Sequence, residues 1–149
     1  MPSRVLHLAA GSEPERVARR RDQWGRALAI ARRLRARDQL PLLVLGDVNS
    51  TGWLDDAGGE RSFVLGAAAD AGFTVPTADL ACTEFWRSPR GRFEPSVLDH
   101  TLVAGLTPPK ATVHGYCARL ACRPHPLDEP TAEYATVSDH CPVTLDLPP

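Results

Sequence analysis

The chain contains one lysine, Lys110, and one methionine, and only 6% of its residues are aromatic. No apolar run approaches the ~20 residues that a bilayer-spanning helix needs, so no transmembrane segment is expected. The first residues also lack the continuous apolar stretch of a signal peptide ahead of Arg16, and none is expected in this chain. No internal repeat and no linker divides the sequence, so a single domain over residues 1–149 is expected, long enough to bury a respectable core. Hydrophobic content of 43% and charged content of 23% are ordinary for a globular chain and exclude a disordered one.

The four cysteines, Cys82, Cys117, Cys122 and Cys141, follow no strong pattern. Cys117 and Cys122 are close enough in sequence for a local disulfide, and buried free thiols are the plainer alternative. His114 and His125 lie nearby, but the spacing matches no zinc signature. A disulfide would imply an extracytoplasmic setting, so the cysteines leave the compartment open. The net charge of −1 conceals an asymmetry: residues 1–40 carry ten arginines against four acids, and the remainder carries seven bases against fourteen acids. A basic face can favour a phosphate-bearing partner. A solvated helix face explains the same arginines, because their long stems cover apolar surface without any ligand.

Against this background stand three short segments in which acidic residues are fused to apolar, strand-like runs. They are Leu42-Leu43-Val44-Leu45-Gly46-Asp47-Val48-Asn49, Val97-Leu98-Asp99-His100-Thr101-Leu102-Val103 and Val137-Ser138-Asp139-His140-Cys141-Pro142-Val143. The apolar residues read as buried strands and the polar ones as strand ends, where side chains are held rigidly at a cleft. Carboxylates, an amide and an imidazole converging there can hold a divalent metal and activate a water.

The rest of the chain reads as an α/β arrangement. A strand over Val5–Ala9 is followed by a helix to about Arg37, with Ser12 and Glu15 forming a capping box, Pro14 in the first turn, and Val17, Trp24, Leu28, Ala31 and Leu34 on one face. A strand from Pro41 to Asp47, a glycine-containing loop over residues 50–59 and a second helix over residues 62–71 come next. Short strands are expected over residues 81–86, 98–104, 111–116 and 142–147.

At Gly46-Asp47-Val48-Asn49, Leu98-Asp99-His100 and Ser138-Asp139-His140-Cys141-Pro142-Val143 the chain resembles the endonuclease/exonuclease/phosphatase superfamily, the DNase I-like group of metal-dependent nucleases and phosphatases. The Leu6-His7-Leu8 strand before an amphipathic helix is similar to the family's middle segment. The resemblance implies a four-layer α/β/β/α sandwich of the DNase I-like type, here lacking its N-terminal half. It further implies a metal-dependent phosphoesterase that uses Mg²⁺, or Mn²⁺ or Ca²⁺, on a phosphodiester of nucleic acid, a lipid headgroup or a small molecule.

The resemblance also implies roles. Asp47 activates or protonates a reacting oxygen, Asn49 contacts the phosphate, Asp99 orients His140, and His7 contacts the scissile phosphate or the leaving group. Asp139, with Asp47 and Asn49, is the implied metal-ligand set. His100 is read as packing, and Trp53, Trp86 and Phe93 as core or rim residues.

Family members carry an Asn and then a metal-ligating Glu on earlier strands. Neither has a counterpart here, and Glu84 and Glu94 lie in the wrong segment to replace the Glu. The alternative expectation is therefore an incomplete half-domain that binds a complementing chain, itself or a phosphate-bearing ligand. The single lysine and the acidic motif region favour a smaller phosphodiester over long nucleic acid, whose phosphates are usually met by a basic cleft.

Overall fold

The computed structural model describes residues 1–147; the last two residues of the expected 1–149 domain lie outside the described residues. The chain runs β1 (Ser3–His7), α1 (Pro14–Asp38), β2 (Leu42–Asp47), α2 (Glu60–Asp70), β3 (Glu84–Ser88) and β4 (Arg92–Ser96). It continues with β5 (Asp99–Ala104), β6 (Lys110–Val113), α3 (Gly115–Arg119), β7 (His125–Pro126), α4 (Ala132–Thr136) and β8 (Val143–Asp146). This is a mixed α/β structure with strands gathered in three small sheets, ordered β1-β2-β5, β3-β4-β7 and β6-β8.

Parallel strands need a crossover connection, and α1 supplies it between β1 and β2. Its apolar stripe buries Trp24, Leu28 and Ala31 against Leu42 and Val44 of β2, and α2 adds Val64 and Ala68 to the same core. Full burial of the leucine and valine side chains contributes roughly 1.5–3 kcal/mol each. The expected Ser12–Glu15 capping box is not formed. Glu13 takes the N-cap position with extended backbone and no side-chain cap, because the residue ahead of Pro14 is pushed out of the helical region. The arginine face is likewise not uniformly solvated, since Arg20 is fully buried.

A second core joins Phe85 of β3, Phe93 of β4, Tyr116 and Cys117 of α3, Cys82 and Cys141. His125 stacks on Phe93 with ring centroids 4.7 Å apart and meets Phe85 edge-on at 5.0 Å. The cysteines pair as Cys82–Cys122 and Cys117–Cys141, so neither a local Cys117–Cys122 bridge nor free thiols occur. Both bridges serve this core, closing gaps of 40 and 24 residues in sequence. The strand expected over residues 111–116 stops at Val113, since Gly115 turns the chain with φ 65° and Tyr116 enters the core from a helix. β4 was not expected at all; Pro95 obscures it, because proline weakens the signature of a paired strand.

Candidate active site

Three of the candidate side chains share one register row. His7 ends β1, Asp47 ends β2 and Asp99 begins β5, and the strand pairing sets His7 opposite Asp47 and Asp47 opposite Asp99. Directly paired residues project from the same sheet face, so the row is a consequence of register. Gly46 makes the close approach possible. Its φ of 141° disfavours any side chain, and an added Cβ would collide with the Leu6 carbonyl. Beyond the strand, the Asn49 backbone N–H donates to Asp47 Oδ1 at 2.9 Å, and Asn49 Nδ2 donates to the Leu8 carbonyl at 3.0 Å. Asn49 is buried at φ 52°, a left-handed turn that asparagine tolerates.

The imidazole arrives from the other core. His140 Nδ1–H donates to Asp99 Oδ2 at 2.8 Å, and its Nε2 lies 3.9 Å from Asp47 Oδ2. His7 Nε2 lies 3.5 Å from the same Asp47 oxygen and is largely exposed. The His140 segment is tied down on every side. Phe85 N–H donates to the Asp139 carbonyl at 3.1 Å, Cys141 N–H to the Thr83 carbonyl at 2.8 Å, and the Tyr116 hydroxyl to the Asp139 carbonyl. The Cys117–Cys141 bridge fixes the next residue. Thr83 also holds the opposite partner, its hydroxyl accepting from the Leu98 and Asp99 N–H groups at 3.0 and 3.1 Å.

Electrostatics follow from this packing. The hydrogen bond that His140 donates to Asp99, opposed by partial burial and reinforced by the Asp99, Asp47 and Glu84 charges, pushes His140 up to about 9. Burial raises the Asp47 carboxyl, against the Asn49 hydrogen bond and the two histidines. The arrangement is an imidazole clamped by Asp99 and aimed at Asp47.

A family model for the endonuclease/exonuclease/phosphatase family matches residues 4–140. The chain belongs to that family. No curated protein and no solved structure matches it. The matched span contains His7, Asp47, Asn49, Asp99, Asp139 and His140. In this family member the imidazole of His140 and the carboxylates of Asp47 and Asp99 meet within one hydrogen bond or a short gap, with His7 at the rim. Asp139 is exposed beside them, and Asn49 supports the chain after β2.

Glu84 is the residue that sequence reasoning set aside. It forms an isolated bridge with His140, is 3% exposed and sits close enough to the Asp139 and Asp99 charges to feel both. Burial pushes its carboxyl up to about 7. Strand alternation places Glu84 and Trp86 on one face and Phe85 on the other. That signal names the face but not the partner strand. Among the described residues no three ligating side chains converge on one point. The donors are nonetheless hard oxygens, the kind Mg²⁺ takes one or two of while keeping several waters.

His100, next to Asp99, is buried instead against Trp53 with ring centroids 4.0 Å apart. Thr77 donates its hydroxyl proton to Nδ1 at 3.1 Å. Nε2–H donates to Ser50 Oγ at 2.8 Å, and Ser50 passes its own proton to the Val97 carbonyl. A neutral ring satisfies all of these bonds, and burial lowers the group to about 3. The fold therefore refuses a proton that the unfolded chain accepts below about 6.5, so stability is complete above that pH and falls on acidification toward about 3. Between pH 7.5 and 5.0 the expected contribution is about 2 kcal/mol. Urea midpoints at the two pH values check this, and His100→Gln should flatten the dependence. An equally steep acid loss in the variant would assign the effect elsewhere.

Proposed function

We propose that the protein is a metal-dependent phosphodiesterase whose centre comprises Asp47, Asn49, Asp99, Asp139, His140 and His7. The observation that carries this reading is the Asp99–His140 hydrogen bond aimed at Asp47 across the strand row. The elements belong, in this reading, to the C-terminal portion of a four-layer α/β/β/α sandwich. Asp139 and Asp47, with Asn49, would hold Mg²⁺ or a similar hard cation. When bound, the cation supplies charge neutralisation on the phosphoryl oxygens. His140, protonated and oriented by Asp99, donates to a phosphate oxygen as negative charge grows there. Asp47, its carboxyl raised by burial, accepts the proton of the attacking water or returns one to the leaving oxygen. His7 stands on the exposed side of Asp47, where a leaving group departs.

A second reading, a site completed by a complementing chain or by self-association, is supported by β1. It is an edge strand paired on one side only, four of its five residues are exposed, and Val5 is 77% exposed. Such an edge is a template for another strand.

One assay separates the readings. Hydrolysis of a generic chromogenic phosphodiester is measured with chelator and with added Mg²⁺, over a range of protein concentrations, with His140→Ala as control. Activity restored by Mg²⁺, absent in the variant and proportional to protein supports the phosphodiesterase. Specific activity that climbs with protein concentration supports completion by a second chain. Full activity in folded His140→Ala would sink the proposed centre.

A further inference from the structure

The two disulfides differ in exposure and in the backbone that carries them. Cys117 and Cys141 are both buried in the second core. Cys82 is buried as well, but its partner Cys122 is only partly buried, at the edge of that core. Cys122 also sits on a strained turn. Just past α3, Ala121 and Cys122 take φ of 49° and 52°, two successive left-handed residues and neither of them a glycine. A Cβ disfavours that region, and residues normally enter it singly. The turn is held by the covalent link to Cys82 and by hydrogen bonds, among them Cys122 N–H to the Cys117 carbonyl at 3.0 Å. Cutting the link leaves the hydrogen bonds alone to hold it. Strained or exposed bridges are the readily reduced ones, while buried structural bridges resist.

The other end of this bridge reaches the candidate centre. Cys82 directly precedes Thr83, and Thr83 grips both halves of the Asp99–His140 pair. Its hydroxyl accepts from the Asp99 N–H at 3.1 Å, and its carbonyl accepts from the N–H of Cys141, the residue after His140, at 2.8 Å. Its own N–H donates to the Ser96 carbonyl at 2.7 Å, and the next residue, Glu84, forms the bridge to His140. Cys117–Cys141 ties the His140 segment to α3 from the opposite side. One bridge thus secures the core around His140, and the other anchors the residue that keeps Asp99 in line with it.

We propose that Cys82–Cys122 is a thiol–disulfide exchange site through which a dithiol reductant loosens the centre while Cys117–Cys141 stays closed. One thiolate of the reductant attacks the Cys122 sulfur, the S–S bond breaks, and Cys82 leaves as a thiolate that takes up a proton. The second thiolate of the reductant then displaces Cys122, which is protonated in turn, and the reductant departs as a cyclic disulfide, having given up two electrons. The Ala121–Cys122 turn relaxes, Cys82 loses its anchor, and the hold of Thr83 on Asp99 and Cys141 slackens. Reoxidation restores it. The effect on hydrolysis rests on the phosphodiesterase reading; the exchange chemistry does not.

Graded dithiothreitol, pulse alkylation and peptide mass spectrometry on the full chain test the order of opening. Cys82 and Cys122 should be alkylated at dithiol concentrations at least about 10-fold below those that open Cys117–Cys141. Ala121→Gly, which relieves the turn, should raise the concentration needed by about 3-fold. In the half-reduced protein the Asp99 and Cys141 amides should exchange with solvent at least about 10-fold faster, with the amides of α1 unchanged. Hydrolysis should fall by a similar factor and return on reoxidation. Joint opening of the two bridges, or Cys117–Cys141 opening first, overturns the proposal. So does a dithiol response that Ala121→Gly leaves where it was, unchanged exchange at Asp99 and Cys141, or undiminished hydrolysis by half-reduced protein. Should the oxidised protein hydrolyse nothing, the phosphodiesterase reading fails alone, and the alkylation order and amide exchange still decide the exchange site.

Discussion

On the phosphodiesterase reading proposed above, Asp99→Asn is expected to slow metal-dependent hydrolysis by about 10²–10⁴-fold, about as much as His140→Ala. The two groups form one device. Asp99 Oδ2 accepts the Nδ1 proton of His140 at 2.8 Å, and this bond is the largest influence raising the imidazole to about 9. An amide removes the negative charge and can turn its NH₂ toward Nδ1. The ring then loses both its fixed orientation and its protonated form near neutrality. Because each residue acts through the other, the double variant should be no slower than His140→Ala alone, a strongly non-additive cycle. Additive losses would show that Asp99 contributes separately from the histidine. The Asp99→Asn profile should also lose activity at lower pH than wild type, a displacement that a merely structural role would not produce.

Arg20→Ala is expected to cost about 3–5 kcal/mol of stability, the range seen when one member of a buried ion pair is removed. Arg20 is fully buried and reaches four places at once. Its Nη2 lies 3.2 Å from Glu60 Oε1, its Nη1 donates to the Ala9 and Gly11 carbonyls at 3.0 and 2.9 Å, and Nη2 meets Thr51 Oγ1 at 3.2 Å. Glu60 is itself only 2% exposed, so the truncation strands a carboxylate in the core, with Arg21 3.6 Å away as its remaining cation. Thermal or urea unfolding checks the value. Replacing both partners by apolar residues, Arg20→Met with Glu60→Leu, should recover much of the loss, since no buried charge is then left unpaired. If the double variant is as unstable as Arg20→Ala, the damage lies in the Ala9 and Gly11 contacts. Those contacts fix the chain just after His7, and Thr51 lies just after Asn49, so a milder Arg20→Lys change should also loosen the site.

Local pattern made much of this legible. The apolar runs of β1 and β2, the helical stripe from Val17 to Leu34 and the polar ends of the strands located His7, Asp47, Asp99 and His140 on elements close to those observed. What escaped depended on pairings between distant parts of the chain. Four cysteines allow three complete pairings, and the one formed, Cys82–Cys122 with Cys117–Cys141, lies in the core that gathers Phe85, Phe93 and Tyr116 from separate elements. Glu84 looked irrelevant because its place beside His140 arises from a bridge across 56 positions of sequence, which no spacing rule reaches. Arg20 looked like one more surface arginine because its partner, Glu60, belongs to a different helix. Proline concealed β4.

The row of His7, Asp47 and Asp99 exists in a single strand alignment. Side chains alternate between sheet faces, so a slip of one residue along β2 would carry Asp47 to the opposite side and bring Gly46 or Val48 into its place. No graded series of poorer sites lies between the two alignments. The capacity of a preparation to form this centre therefore counts the molecules whose strands have zipped correctly, and an assay of the centre doubles as an assay of folding fidelity.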